Sequence, residues 1–171
     1  MSYARFLAMI ATAMLVMYGL TYLNVFALDH IWFSEMRVWM ALLMGAVMAV
    51  IMLAFMLDMY RDARANFAIL LGAVLVFVGA LWLARSQKTV DDIAYMKAMI
   101  PHHSIAILTS ERAHIRDPRV RRLADGIIRA QVEEIDEMER LIAALRTAPP
   151  APDAPDLPSY RERGAAPPKA Q

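Results

Sequence analysis

Three long uncharged runs dominate the pattern of apolar and polar positions in the first half of the chain. They cover residues 6–28, 38–57 and 67–84, and short charged segments separate them. The hydrocarbon core of a bilayer is about 30 Å thick and needs roughly 20 apolar residues in a helix. All three runs fit that requirement, so the sequence predicts a region of three transmembrane helices over residues 1–85.

The first run, with Arg5 before it, could also be the start of a secretory signal peptide. A signal peptide has a hydrophobic region of about 7–15 residues. The run over residues 6–28 is longer than that, so we expect a helix that is retained in the membrane.

The pattern changes after the third run, where apolar residues recur at helical spacing among charges of both signs. This pattern is typical of amphipathic helices outside the membrane. Asp117 can cap a helix, and Pro118 suits the first helical position that follows. We therefore predict an antiparallel helical hairpin, as a domain over residues 86–147 with helices at about 89–115 and 118–146.

Local signals also mark the two ends of the hairpin domain. Thr89 followed by Asp92 resembles a capping box, which predicts the start of the first hairpin helix. Residues 148–171 are rich in proline and alanine and contain most of the nine prolines of the chain. Such a segment cannot bury a core, so we predict a disordered tail.

Composition narrows the classes of function. The chain has 171 residues, of which 59% are hydrophobic, and a mean hydropathy of +0.40, which is high for a water-soluble domain. The net charge of +1 gives no reason to expect nucleic acid as a partner. The chain has no cysteine but fourteen methionines, so disulfides and thiolate metal sites are excluded and thioether ligands are plentiful.

Two adjacent histidines lie beside methionines in the first hairpin helix, in the stretch YMKAMIPHHS. At 100° per residue, Met96, Met99 and His103 lie within roughly 40° of a common direction. His102 points about 100° away from His103. Both histidines can bind one ion only if a partner helix or the kink expected at Pro101 brings them together.

The second hairpin helix offers possible partners at matching height. Folding the hairpin about residues 116–117 places His103 level with about residue 130, near Gln131, Glu134 and Met138. Gln131 lies within an apolar stripe and Glu134 lies at its edge. A buried amide or carboxylate without a partner is costly, and either a metal ion or the histidines would relieve that cost.

Thioethers and imidazoles together form a soft to intermediate ligand set, which favours copper and especially Cu(I). The other interpretation involves no metal. In it, methionine and isoleucine fill the hairpin core, and the histidines form hydrogen bonds with Gln131 and Glu134.

The same residues carry a resemblance to a known family. The Met-x-x-Met-Ile-Pro-His-His motif at residues 96–103 and a second block at 117–138 agree with it in order and spacing. They resemble a bacterial domain-of-unknown-function family with a ferritin-like helical fold, whose described members include periplasmic copper-binding proteins of the CopM type. The resemblance covers about residues 89–145 and implies a helical bundle, copper binding and copper tolerance. The metal ligands that it implies are Met96, Met99, His102, His103, Gln131, Glu134 and Met138.

The chain departs from this family in two respects. Ser104 stands where a glutamine is common, and only one hairpin is present, which is half of a ferritin-like bundle. A four-helix bundle would then need a second copy of the chain or helices from another partner, so we expect a homo-oligomer or a partner complex.

Three functions are compatible with these patterns. The first is a membrane-anchored copper-binding protein that buffers copper, confers tolerance or hands the metal on. The second is a structural or accessory membrane subunit whose hairpin docks a partner without metal. The third is a ferritin-like metal oxidase, which we favour least because the Glu-x-x-His motif of di-iron bundles occurs once, at Glu111 and His114, instead of twice. We therefore predict a binding protein and no enzyme.

Membrane orientation is weakly encoded in the loops. Positive residues near the three runs divide evenly between the two sides, so the positive-inside rule does not decide. The second loop has Arg61 and Arg64, whereas the first has only Arg37. Together with the periplasmic location that the resemblance implies, this predicts a multi-pass protein of the bacterial inner membrane with a cytoplasmic N-terminus and a periplasmic hairpin.

The second run contains methionines at unbroken intervals of four, from Met36 to Met56. Each interval turns about 40° beyond a full turn, so the sulfurs form a ridge that winds roughly 200° around the helix. No single straight groove can face all of them. We expect most of these side chains to fill gaps between the membrane helices.

Overall fold

The computed structural model describes residues 2–151 and 153–162, and these residues form α-helices and no β-strand. The all-α prediction is therefore confirmed for this part of the chain. The predicted disordered tail falls partly on residues 152 and 163–171, which lie outside the described residues. The five helices are α1 (Tyr3–Leu20), α2 (Glu35–Phe55), α3 (Ala63–Ser86), α4 (Asp92–Arg112) and α5 (Pro118–Thr147).

Helices α1, α2 and α3 are long and apolar enough to cross a membrane. Within their most apolar windows, 33% of the residues of α2 are buried inside the protein, against 11% for α1 and 11% for α3. Helix α2 is therefore the central helix, and it packs against both α1 and α3. Many large apolar side chains of the three helices are exposed, among them Leu15, Phe55 and Leu75.

Small residues bring α1 close to α2. Gly45 lies on the buried side of α2 together with Ala41 and Ala49. A methyl group added to Gly45 would lie 2.7 Å from the sulfur of Met14, which is too close for any real contact. The absence of a side chain at Gly45 thus leaves room for the Met14 side chain between the two helices, and small residues at helix contacts are common in membrane proteins.

The start of α1 is fixed to the connection between α2 and α3. The Tyr3 hydroxyl donates a hydrogen bond to Oδ1 of Asn66 at 2.9 Å, and Nδ2 of Asn66 donates to the Tyr60 carbonyl at 2.7 Å. The Tyr60 ring is buried against Phe6 with a centroid distance of 5.3 Å. These contacts join all three helices at the end of the bundle that is opposite the hairpin.

The segment between α1 and α2 differs from the sequence prediction. The first apolar run extends to Leu28, but α1 ends at Leu20, and a 3-10 turn forms at Leu28–His30. The backbone N–H of Phe26 donates a hydrogen bond of 2.7 Å to the Ser104 hydroxyl, which also lies 2.9 Å from Nδ1 of His30. The end of the run therefore docks on the hairpin, because α4 offers a buried polar partner there.

Helices α4 and α5 form the predicted antiparallel hairpin. Asp117 caps α5 by accepting a 2.7 Å hydrogen bond from the backbone of Arg119, and Pro118 is the first helical residue, as predicted. Burial of each large apolar side chain in the seam contributes about 1.5–3 kcal/mol. The buried core of the hairpin consists of Met96, Ile100, Ile107, Ile135, Met138 and Ile142.

The predicted capping box at the start of the hairpin is wrong. Asp91 caps α4 by accepting a 2.7 Å hydrogen bond from the backbone of Ala94. The Thr89 hydroxyl instead donates a 2.8 Å hydrogen bond to the carboxylate of Glu35 at the start of α2. Thr89 therefore links the hairpin to the membrane helices, a long-range contact that outweighs the local signal.

Replacing Ser104 with alanine should loosen the segment over residues 21–34. The substitution removes the acceptor of the half-buried Phe26 N–H, and a hydrogen bond of this kind typically contributes about 0.5–1.5 kcal/mol. Hydrogen exchange of the full chain in detergent micelles should show faster exchange in this segment. The same change at Ser110 of α4 controls for the better helix propensity of alanine. Equal exchange in the two variants would contradict the docking role of Ser104.

Candidate metal centre

An open cleft of about 830 Å³ lies along the α4–α5 hairpin and brings together four of the seven predicted ligands. Met96 and His103 approach it from α4, and Glu134 and Met138 approach it from α5. The two methionines are 6% and 9% exposed, so their thioethers lie at the buried base of the cleft. Glu134 lies at the rim, where about half of its side chain is exposed.

His103 is held against Glu134. Its Nδ1 lies 3.1 Å from Oε2 of Glu134, and the histidine side chain is 13% exposed. The ring N–H direction is not aligned with the carboxylate, so this buried nitrogen has close electrostatic contact but no well-formed hydrogen bond. Gln131 donates a hydrogen bond of 3.2 Å to the same oxygen. The amide of Gln131, for which the sequence pattern indicated no certain partner, is therefore hydrogen-bonded to Glu134.

The short contact guides the assignment of the proton on the His103 ring. Two unprotonated acceptors at 3.1 Å would repel each other, so we assign the proton of the neutral ring to Nδ1. The lone pair of the ring then lies on Nε2. Histidines that bind a metal ion commonly have a carboxylate next to their other ring nitrogen.

Burial lowers the pKa of His103 below its ordinary value. Desolvation is the largest cause, the carboxylate of Glu134 opposes it, and His102 adds a smaller lowering. The neutral imidazole is therefore the stable form at neutral pH. This is the form that binds metal ions, because a protonated ring has no free lone pair.

Met99 and His102 do not face the cleft. They line a second cavity of about 330 Å³ between α4 and the start of α2, although Met99 also packs against the hairpin core. The rings of His102 and His103 are tilted by 60° with centroids 6.1 Å apart. Pro101 is buried inside a helix that continues past it, so the two histidines stay on different sides of α4.

The sequence offered Gln131, Glu134 and Met138 as partners for the histidines, and His103 contacts Glu134. The end of the first hairpin helix differs from the expected one, because α4 ends at Arg112 instead of near residue 115 and Ala113 is extended.

Harder metal ligands are not clustered. Among residues 2–151 and 153–162, no group of three or more His, Cys, Asp and Glu side chains is placed to hold a metal ion. Glu111 and His114 of the single Glu-x-x-His motif are both exposed.

One residue of the second cavity was missed as a candidate. Met36, in the first turn of α2, lines that cavity together with Met99 and His102. Its place at the head of the methionine series was visible in the sequence. Its proximity to α4 was not, because no local pattern links residues about sixty positions apart.

The imidazole of His103 should titrate with a midpoint below the ordinary value of about 6.5. Because the unfolded chain then binds more protons, the stability contributed by neutral His103 is complete above about pH 6.5 and is lost as the pH falls below it. NMR titration of the full chain in micelles measures the midpoint. Glu134→Gln should lower it further, whereas Glu137→Gln, at another carboxylate of the cleft, should not. A midpoint above 6.5 would refute the assignment.

Comparison with known proteins gives one similar protein and one matching family. The uncharacterized protein L153 of Acanthamoeba polyphaga mimivirus is 34% identical over 106 residues, which cover 61% of this chain and 68% of the viral protein. No solved structure matches the chain. Residues 83–168, about half of the chain, match a family that is described as Domain of unknown function (DUF305). The chain belongs to the DUF305 family.

Proposed function

We propose that the protein is a membrane-anchored copper-binding protein that holds Cu(I) in the hairpin cleft. One observation carries the proposal: His103 is a buried, neutral imidazole without a well-formed hydrogen bond, in the same cleft as two buried thioethers. Packing alone accounts for Met96 and Met138. It does not account for the imidazole, since an apolar side chain would fill the same space without the cost of desolvation.

The ligands in this proposal are Nε2 of His103 and the sulfurs of Met96 and Met138. Two thioethers and one imidazole suit Cu(I), which prefers soft ligands. Zinc sites usually take four nitrogen, oxygen or thiolate ligands, and the His, Asp and Glu side chains of the cleft are not clustered in threes. Glu134 lies 3.1 Å from Nδ1 of His103, and Gln131 donates a hydrogen bond to Glu134. We thus assign Gln131 and Glu134 a supporting role next to the metal ligands.

The protein would reside in the bacterial inner membrane as a three-span protein. An odd number of spans puts the N-terminus and the hairpin on opposite sides of the bilayer. The contact of Phe26 with Ser104 requires the first loop to lie on the same side as the hairpin. We propose that this side is the periplasm, where the cleft could buffer copper, confer tolerance or pass the metal on.

A second candidate function is supported by an exposed apolar surface on α5. Val120, Leu123 and Ile127 are 49%, 65% and 37% exposed and lie on one side of the helix at intervals of three and four. Such a surface suits a second copy or another helical partner, which could complete a four-helix bundle. Docking of a partner through this surface is compatible with copper binding, and it would be the main role if the cleft holds no metal.

Replacing Met96 and Met138 with leucine and His103 with alanine should remove one tightly held Cu(I) per chain. Titration of the full chain in micelles against a competing Cu(I) chelator measures this loss. The leucines nearly keep the volume of methionine, so the circular dichroism should stay helical. The matched control replaces Met59 with leucine and His114 with alanine, both exposed and outside the cleft. Unchanged copper content in the triple variant would rule out the cleft as the copper site.

Alkaline phosphatase fused after Thr147 should be active if the hairpin is periplasmic, because the enzyme needs the oxidising periplasm to form its disulfides. The same fusion in the α2–α3 loop, after Asp58, should be inactive. A reporter that works only in the cytoplasm should give the opposite pattern. An active phosphatase in the α2–α3 loop with an inactive one after Thr147 would reverse the orientation.

A further inference from the structure

The second cavity contains a second set of soft ligands. It occupies about 330 Å³ between α4 and the first turn of α2, and Met36, Met99 and His102 line it. The three side chains repeat the composition of the cleft, with two thioethers and one imidazole. Met36 and Met99 are half-buried and His102 is exposed, so a metal ion can enter from the side of the histidine.

The fold holds these three residues near each other. Met99 and His102 are three positions apart on α4, which places them on neighbouring parts of one helix surface. The start of α2 is fixed opposite them, because the Glu35 carboxylate accepts a 2.8 Å hydrogen bond from Thr89 and the neighbouring loop is hydrogen-bonded to Ser104. The cavity is thus built from two elements that are held together independently of any metal.

The two charged side chains at the cavity have opposite signs. Arg37 lines the cavity, and its guanidinium lies 4.2 Å from the centroid of the Tyr22 ring and donates to the Thr21 carbonyl. The guanidinium is therefore engaged by the end of α1. The Glu35 carboxylate, which also lines the cavity, supplies a negative charge that balances it, so the cavity carries no net positive charge against a monovalent cation.

We propose that Met36, Met99 and His102 form a second Cu(I) site at the membrane surface. The ring of His102 is 6.1 Å, between centroids, from that of His103, so the second site adjoins the cleft. Cu(I) passes between the sites by ligand exchange, in which one imidazole bond forms as another breaks. The ion keeps its charge, and no electron or proton is transferred. This exchange rests on the proposed function of the cleft, whereas the second site itself does not.

The other methionines of α2 do not extend this path. Met44, Met48 and Met52 line a different, apolar groove toward α3. Met56 packs against the cluster around Phe6 at the far end of the bundle. Met36 therefore belongs to the hairpin side of the protein, and the remaining methionines serve packing between helices.

The number of tightly bound Cu(I) ions per chain tests the proposal. The full chain in micelles, titrated with Cu(I) against a competing chelator, should bind two ions. Met36→Leu and His102→Ala should each reduce the number to one. Because the side chain of His102 is exposed, misfolding would not explain a loss of copper in the His102→Ala variant. Met40→Leu, one step further along α2 and outside the cavity, is the matched control and should keep two.

The outcomes separate the second site from the cleft. Two ions in Met36→Leu and in His102→Ala, or a single ion that both variants retain, would overturn the second site and leave the cleft intact. One ion that remains in the variant of Met96, His103 and Met138 but disappears with Met36→Leu would support the second site and overturn the cleft. No bound copper in the natural chain would overturn both.

Discussion

The wholly buried hydroxyl of Ser104 sets the position of the hairpin on the membrane helices. It accepts a hydrogen bond from Phe26 and contacts His30, so a polar atom in the middle of α4 is satisfied by a loop far away in the chain. A longer side chain would push that loop away. Because this side of α4 is fixed against the loop, one of its other sides faces α5 and another faces the start of α2. Both candidate sites follow from that orientation.

Burial of an imidazole is the second constraint. Desolvation favours neutral His103, and the adjacent carboxylate reduces this effect without cancelling it. A core built only for stability would have an apolar residue here, because leaving a buried polar group poorly paired costs about 1–3 kcal/mol. The polar chain from Gln131 through Glu134 to His103 instead resembles the outer layer that orients a metal-bound histidine. In the same cleft, Met96 supplies a sulfur.

Much of the fold was predictable because its signals are local. Uncharged runs predicted the three apolar helices, and Asp117 with Pro118 predicted the start of α5. The errors occurred where distant contacts decide the outcome. Thr89 binds Glu35 instead of capping α4, and the end of the first apolar run leaves the helix to reach Ser104. Ideal helical angles predicted that Met99 and His103 lie on one face of α4. In the structure the two residues line separate cavities on two sides of α4, which helical periodicity alone cannot reveal.

Copper X-ray absorption of the full chain, loaded with one equivalent of Cu(I), tests the ligand chemistry most directly. We expect a mixed environment of imidazole nitrogen and thioether sulfur. In a chain that carries Met36→Leu, which removes the second site, the sulfur contribution should fall when Met96 and Met138 are also leucine, and it should stay unchanged when Met59 is leucine instead. A spectrum with nitrogen and oxygen ligands alone, in the natural chain, would contradict the soft metal centre on which this account rests.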